Sequence, residues 1–152
     1  MSTPAFELRF RVALHDTDAA GVLFFAHLFR HAHDAYEAWM AHLGFPLDAM
    51  LRKGELRLPL VHAAADYRRP LRHGDEVTIQ LRVADIGESA FTIEYRFLAD
   101  TGERAATARS VHVGLGADER RGLPQPLRDA LAQFGRGDGA TAKPGVSAER
   151  KP

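Results

Sequence analysis

The feature that most constrains the fold is a run of helical periodicity that starts at Phe25 and ends at Leu43. Apolar residues recur there at i, i+3, i+4 and i+7, the spacing of one buried stripe on a helix. Gly44 and Pro46 follow the pattern, and both are typical of the end of a helix. Because the chain's single tryptophan lies on the stripe, we expect the core to form around this helix. The stripe comprises Leu28, Phe29, Ala32, Tyr36, Trp39, Met40 and Leu43, and the opposite face carries Arg30, His31, His33, Asp34, Glu37 and His42.

A helix with one apolar stripe needs a second layer to cover, and segments that alternate between apolar and polar residues predict a sheet. One strand precedes the helix and four follow it, with a hairpin turn at 86–89. We also expect a helical turn at 47–53 and a short helix after Pro126. This order predicts an α+β fold in which a long central helix is wrapped by a five-stranded antiparallel sheet. The expected strands are residues 6–14, 58–69, 76–83, 91–97 and 104–115.

The composition excludes several classes of protein. Lys plus Arg equals Asp plus Glu, at 20 each, so no net charge draws the chain to nucleic acid or to a membrane surface. Cysteine is absent, which excludes disulfides, thiolate nucleophiles and cysteine-based metal sites. No apolar run reaches the ~20 residues of a membrane helix, and no secretory signal is visible. We therefore expect a cytoplasmic protein without membrane or nucleic-acid partners.

One boundary is visible in the composition. The chain has 152 residues, which is the size of a single domain. From Gly135 onward it consists mainly of Gly, Ala, Lys, Pro, Ser and Arg, which offer almost nothing to bury. We expect a folded domain over residues 1–134 and a disordered tail over residues 135–152.

Three patterns that suggest other chemistry fail on inspection. Asp16-x-Asp18-x-x-Gly21 resembles the start of a calcium loop, but the later ligand positions hold Ala20 and His27. His27 and His31 lie one helical turn apart, yet a zinc site needs a third ligand, so we expect no metal. Ser110 and His112 would share one face of a strand, but no carboxylate accompanies them, and we interpret this pair as a coincidence.

Asp18 is harder to dismiss. It lies in a turn between small residues, directly before a helix whose first N–H groups are free to polarise a carbonyl oxygen. A carboxylate beside such amides is the minimum for hydrolysing an activated ester, either as nucleophile or as the base for a water molecule. The structural alternative is that Asp16 or Asp18 caps the helix. The residues alone leave these two interpretations open.

Residues 16–22, Asp-Thr-Asp-Ala-Ala-Gly-Val, followed by aromatic residues and a long helix, resemble the signature of the 4-hydroxybenzoyl-CoA thioesterase family of hot-dog-fold proteins. The resemblance covers residues 6–134. It implies that Asp18 is the catalytic carboxylate and that the backbone N–H of Phe25 contacts the oxyanion. It also implies a homodimer with sheets joined edge to edge, and commonly a homotetramer. No cofactor is implied, because coenzyme A is part of the substrate.

Within this family, residues 58–63 and the stretch from His33 to Trp39 are similar to 1,4-dihydroxy-2-naphthoyl-CoA hydrolases. The implied function is hydrolysis of an aryl-CoA thioester to the free acid and CoA. Two residues depart from the pattern: Phe24 stands where many relatives carry Tyr, and Ala19 replaces Gly or Pro. The substrate-binding residues that the resemblance suggests are Gly21, Phe24, His27 and His62, with Arg68, Arg69 and Arg72 for the CoA phosphates.

Three other functions stay open from the sequence. The acyl group could be a short aliphatic chain, or the protein could bind acyl-CoA without catalysis. A hot-dog hydratase or dehydratase would need a histidine and a carboxylate on the long helix, for which His31 or His33 with Glu37 are the candidates. Release of free CoA distinguishes a thioesterase from the last two.

Overall fold

The computed structural model describes residues 5–135, which form one antiparallel sheet and three helices. The strands are β1 (Phe6–Arg11), β2 (Leu60–Tyr67), β3 (Glu76–Ile86), β4 (Ala90–Ala99) and β5 (Arg104–Val113), and the helices are α1 (Phe25–His42), α2 (Leu47–Lys53) and α3 (Gln125–Ala132). The strand order across the sheet is β1-β3-β4-β5-β2. The predicted α+β class, with one long helix against a five-stranded antiparallel sheet, is confirmed.

The core lies between α1 and the sheet, as the helical periodicity predicts. Trp39 and Met40 are fully buried and Tyr36 is 1% exposed. The inward residues of β3 and β4 alternate with half-exposed ones along both strands, which is the pattern of a sheet with one covered face. Pairing of β1 to β3 and of β2 to β5 leaves β1 and β2 as the two edges of the described sheet.

The first strand is shorter than predicted. β1 ends at Arg11, and Leu14–Asp16 form a 3₁₀ turn in which Leu14 is 71% exposed. The physical reason is local, because the carboxylate of Asp16 accepts the N–H of Ala13 at 3.0 Å and bends the chain out of the extended conformation. The apolar alternation that continues to Leu14 was therefore misleading.

Other boundaries differ by a few residues. The fifth strand ends at Val113, and α3 begins at Gln125, before Pro126. Proline is tolerated in the first turn of a helix because its missing N–H has no acceptor there. The second strand covers only Leu60–Tyr67, with an irregularity in its register between Leu60 and His62.

The predicted tail lies mostly outside the described residues. Gly135, its first residue, pairs with Val83, and the Val83 N–H donates to Phe134 O at 3.0 Å. Gly135 is thus part of the fold, whereas the prediction for residues 136–152 stays a prediction. In the described range, no helix combines the length and apolarity that crossing a bilayer requires.

Candidate active site

The segment between the 3₁₀ turn and α1 is a tight closed loop with Asp18 near its tip. Thr17 and Leu23 form an antiparallel bridge at its base. Inside the bridge, the Asp18 N–H donates to Val22 O at 3.0 Å and the Gly21 N–H donates to Asp18 O at 2.9 Å. Gly21 has φ +77°, a left-handed conformation that favours glycine. Gly21 thus shapes the loop through its backbone and lies outside the lining of the cleft described below.

The Asp18 carboxylate is exposed but fixed in orientation. Its Oδ1 accepts the N–H groups of Ala20 at 2.8 Å and Val22 at 3.3 Å, which holds the side chain against its own loop. Within residues 5–135, Oδ2 makes no hydrogen bond. One oxygen therefore anchors the group while the other is available to a substrate or to water.

Asp18 lines an open cleft of about 500 Å³ between the loop, the start of α1 and the end of β2. Apolar side chains dominate the lining, and two arginines stand at one side. Five of the residues predicted from the sequence meet here, namely Asp18, Phe24, Phe25, Arg68 and Arg69. The full lining is Asp18, Val22, Leu23, Phe24, Phe25, Tyr67, Arg68, Arg69 and Pro70.

The start of α1 borders this cleft and has no side-chain cap within residues 5–135. Phe24 is the N-cap residue, and no side chain of the described chain caps the helix. The first intrahelical donors are His27 and Leu28, which both bond Phe24 O, at 3.0 and 2.9 Å. The N–H groups of Phe25 and Ala26 have no acceptor among residues 5–135. The capping alternative that the sequence left open is therefore not the one observed.

Tyr67 is a site residue that the sequence did not suggest. Its hydroxyl donates to Leu23 O at 2.9 Å and so ties the end of β2 to the base of the loop. Burial raises the pKa of Tyr67, and the negative charge of Asp18 raises this pKa further, so the phenol stays protonated as a donor. The strand pattern gave Tyr67 a place in β2, but only the tertiary fold brings it to Asp18.

Asp16 is the opposite of Asp18, since it is 1% exposed and fully paired. Arg30 donates to its Oδ1 at 2.7 Å, and His31 Nε2 donates to its Oδ2 at 3.0 Å. Burial by itself raises the pKa of Asp16, but the hydrogen bonds of Ala13 and His31, with the positive charges nearby, bring the pKa down to about 2. This carboxylate is ionised at neutral pH and inaccessible, so of the two aspartates only Asp18 is exposed to a substrate.

His31 is the clearest error of the helical pattern, which assigned it to the polar face. It is 8% exposed and stacks on Phe10 with ring centroids 3.7 Å apart. Burial lowers the pKa of His31, against the opposite effect of Asp16. Because its ring bonds Asp16, His31 is not available to act with Glu37, and His33 is the candidate that the hydratase alternative retains.

The remaining predicted substrate contacts lie outside the cleft lining. His27 is in the first turn of α1, with its ring 6.1 Å from that of Phe24. His62 pairs with Val111, whose neighbours in β5 face the core, so His62 lies on the sheet face away from α1. Arg72 meets the loop through its backbone bridge to Val22, and its N–H donates to Asp75 at 2.8 Å. Their proposed roles stay predictions.

The two arginines of the cleft differ in freedom. Arg69 forms an ion pair with Glu103 at 2.5 Å. The Arg68 side chain has no ion-pair or hydrogen-bond partner in the described part of the chain. Arg68 is thus the cation that can bind an anionic ligand without first breaking a contact.

Ser110 and His112, which the sequence analysis set aside as a nucleophile and base, form a hydrogen-bonded pair in the core. Ser110 Oγ lies 2.9 Å from His112 Nε2 and 2.8 Å from the Tyr95 hydroxyl. Burial lowers the pKa of His112 to about 4. The group lies in the core beneath Tyr36, whose ring stacks on His112 at 4.2 Å, and it does not line the Asp18 cleft. Among residues 5–135, no three His, Asp or Glu side chains are grouped to hold a metal ion.

Comparison with known proteins identifies the family of this fold and site. The model of the thioesterase-like superfamily matches residues 12–135. The chain belongs to this superfamily. The resemblance inferred from residues 16–22 is confirmed, and with it the prediction of a thioester hydrolase.

Relatives and solved structures agree with this assignment. The chain is 41% identical over 114 residues to 1,4-dihydroxy-2-naphthoyl-CoA hydrolase of Synechococcus elongatus, covering 74% of this chain and 83% of the relative. The structure of a Synechocystis 1,4-dihydroxy-2-naphthoyl-CoA thioesterase matches with TM-score 0.79 at 30% identity, covering 84% and 96%. A gentisyl-coenzyme A thioesterase matches with TM-score 0.74 at 27% identity, covering 83% and 98%.

Proposed function

We propose that this protein is an acyl-CoA thioesterase that hydrolyses an aryl-CoA thioester, of the 1,4-dihydroxy-2-naphthoyl-CoA or 4-hydroxybenzoyl-CoA type, to the free acid and CoA. The observation that carries the proposal is the cleft itself. Asp18, whose Oδ2 makes no hydrogen bond within residues 5–135, and Phe25 at the uncapped start of α1 line one cavity. The names of the relatives add that related chains act on bicyclic and hydroxylated aromatic acyl groups.

The proposed reaction uses Asp18 and the helix terminus together. The thioester carbonyl lies against the Phe25 N–H, and Asp18 Oδ2 either attacks the carbonyl carbon or takes a proton from an attacking water. The C–S bond breaks, and CoA leaves as the thiolate and is protonated. If Asp18 is the nucleophile, a water molecule then hydrolyses the acyl–Asp18 anhydride and restores the carboxylate, so either route consumes one water per thioester. The Phe25 N–H and the positive end of the helix dipole stabilise the oxyanion that forms.

The walls of the cleft suit an aromatic acyl group. Phe24 and Phe25 are 38% and 56% exposed, and their rings meet edge to face at 4.6 Å. An aryl group would bury this apolar surface and could add ring contacts of the same kind. Arg68 is suited to a CoA phosphate, because its guanidinium has no partner among residues 5–135 and can bind two phosphate oxygens at once.

We extend the proposal to a homodimer joined along β2, and to a tetramer of such dimers in the cytoplasm. The outer edge of β2 is unpaired in the described sheet. Leu60 and Val61 on this strand are 47% and 58% exposed, an edge that invites pairing with a second strand. Light scattering of the purified protein measures the assembly, and a monomer at micromolar concentration would contradict it.

The central test measures free thiol released from a panel of acyl-CoA thioesters. The wild-type protein should prefer aryl-CoA, and Asp18→Asn should lose this activity, whereas the exposed Asp48→Asn on α2 should keep it. A preference for short aliphatic chains would instead support the aliphatic alternative. Tight binding of acyl-CoA without thiol release would indicate a non-catalytic binding protein and contradict the proposal.

A further inference from the structure

The buried carboxylate of Asp16 joins three parts of the chain that meet beneath the Asp18 loop. It accepts the Ala13 N–H from the segment after β1 at 3.0 Å. It also accepts hydrogen bonds from the side chains of Arg30 and His31, in the second turn of α1, at 2.7 and 3.0 Å. The side chain of Asp16 therefore links the entry to the loop with the helix that follows the loop.

The backbone of Asp16 reaches the far end of the same loop. Its carbonyl accepts the N–H of Phe24 at 3.0 Å, and its own N–H donates to Ala13 O at 3.0 Å. Asp18 lies two residues after Asp16, and the free amide of Phe25 lies one residue after Phe24. Both reacting groups thus branch from backbone that Asp16 fixes.

The donors to Asp16 differ in how firmly they are placed. His31 is buried and its ring stacks on Phe10, so the orientation of the ring, and with it of the Nε2–H bond, is restricted. The Arg30 side chain is 45% exposed and also bonds Asp34 at 3.2 Å. His31 and Arg30 together form a clamp on Asp16, in which His31 is the rigid donor and Arg30 is the donor that can change its position.

We propose that Asp16, held by His31 and Arg30, is a positioning residue that sets the distance and angle between the Asp18 carboxylate and the Phe25 amide. The proposal rests on the thioesterase function proposed above. A carboxylate and an oxyanion donor act on one carbonyl only when both are placed correctly. A displacement of about 1 Å can lower the rate by about a hundredfold.

The test compares His31→Gln with His31→Leu in the full chain. The terminal amide nitrogen of Gln can take the place of Nε2 and donate to Asp16, whereas Leu has no donor. With a good aryl-CoA substrate, His31→Leu should lower kcat by about ten- to hundredfold with KM nearly unchanged, because the clamp acts on geometry rather than on binding. His31→Gln should recover most of the loss.

Two sets of controls separate positioning from simple folding. His42→Gln and His42→Leu make the same changes at an exposed histidine of α1, and both should keep wild-type kcat. Arg30→Met and Arg30→Lys repeat the comparison on the exposed side of Asp16, in case His31→Leu does not fold, and Met should lower kcat by several-fold more than Lys. Activities are compared per folded protein, measured by circular dichroism at the assay temperature.

The outcomes separate this proposal from the proposed function. If His31→Leu and Arg30→Met keep wild-type kcat per folded protein, or if the Gln and Lys variants lose as much as the Leu and Met variants, Asp16 does not position the site. If, in the same assays, Asp18→Asn is inactive, the thioesterase mechanism survives that result. Wild-type protein that releases no thiol from any thioester overturns both.

Discussion

The base and the tip of the loop at 16–24 carry the same side chain in opposite surroundings. Asp16 at the base is 1% exposed and both of its oxygens are bonded. Asp18 at the tip is exposed, with one oxygen bonded to its own loop and the other unpaired in the described residues. Two aspartates that look equivalent in the sequence therefore differ in their hydrogen bonds: Asp16 is a structural residue, and Asp18 is the proposed catalytic residue.

The largest difference should be in catalysis. Asp18→Asn keeps the shape of the tip but removes its charge and basicity, and kcat should fall by about 10²–10⁴-fold. The thermal midpoint should change little, because Asn still accepts the loop N–H groups. Steady-state kinetics with an aryl-CoA thioester measures the first effect and thermal unfolding the second. An active Asp18→Asn enzyme would make the comparison of the two aspartates wrong.

For stability, a substitution at Asp16 should have a larger effect than one at Asp18. Asp16→Ala leaves Arg30 and His31 without their partner and should cost about 3 kcal/mol of unfolding free energy, at the low end for a buried pair because Arg30 is half-exposed. Asp18→Ala should cost about 1 kcal/mol or less. Urea denaturation of both variants measures the difference. Equal costs would mean that the buried carboxylate is no more structural than the exposed one.

Acid should destabilise the protein by protonating Asp16 at the base of the loop. Burial raises the pKa of Asp16, but its hydrogen bonds and the nearby positive charges lower it from 3.8 to about 2. Because the native pKa is depressed, this stabilisation is present above pH 3.8 and is lost as the pH falls toward 2, by about 2 kcal/mol. Urea unfolding across this range should show a smaller loss in Asp16→Asn. An unchanged acid loss would assign the effect to other carboxylates.

The smallest effect should come from the bond that ties β2 to the loop. Tyr67→Phe removes the hydrogen bond to Leu23 O and should cost about 1 kcal/mol. A kcat lowered by a few-fold would mean that this bond helps to hold the tip in place. Ile93→Val, at a fully buried position of β4 outside the cleft lining, is a matched control that should lower stability by a similar amount without lowering kcat per folded protein.

The sequence predicted the parts of this molecule that depend on local periodicity. α1 begins at Phe25 as expected, because apolar residues recur with a period of 3.6 from there onward and Gly44 then ends the pattern. The five strands in chain order and the hairpin of β3 and β4 followed from alternation and turns, whereas the pairing of β1 with β3 and of β2 with β5 came only from the structure. The assignment of Asp18 came from the family motif, since spacing alone did not separate it from Asp16.

The errors come from contacts that join distant segments. Nothing in the spacing of α1 indicates that Phe10 and Asp16 will cover His31, because both lie outside the helix, earlier in the chain. In the same way, Ser110 and His112 share a face by simple alternation, but their link to Tyr95 depends on the register of β4 against β5. Tyr67 joins the site for a similar reason. Such residues become visible only when the packing is known.

The uncapped start of α1 has a consequence for the evolution and engineering of this chain. A Ser or Asp at the N-cap commonly stabilises a helix by about 1 kcal/mol, by accepting the amides that are free here. Phe24 cannot provide this stabilisation, because its side chain has no hydrogen-bond acceptor. A change such as Phe24→Ser should therefore give a more heat-resistant protein that is a poorer catalyst, a trade-off between durability and turnover set at one end of one helix.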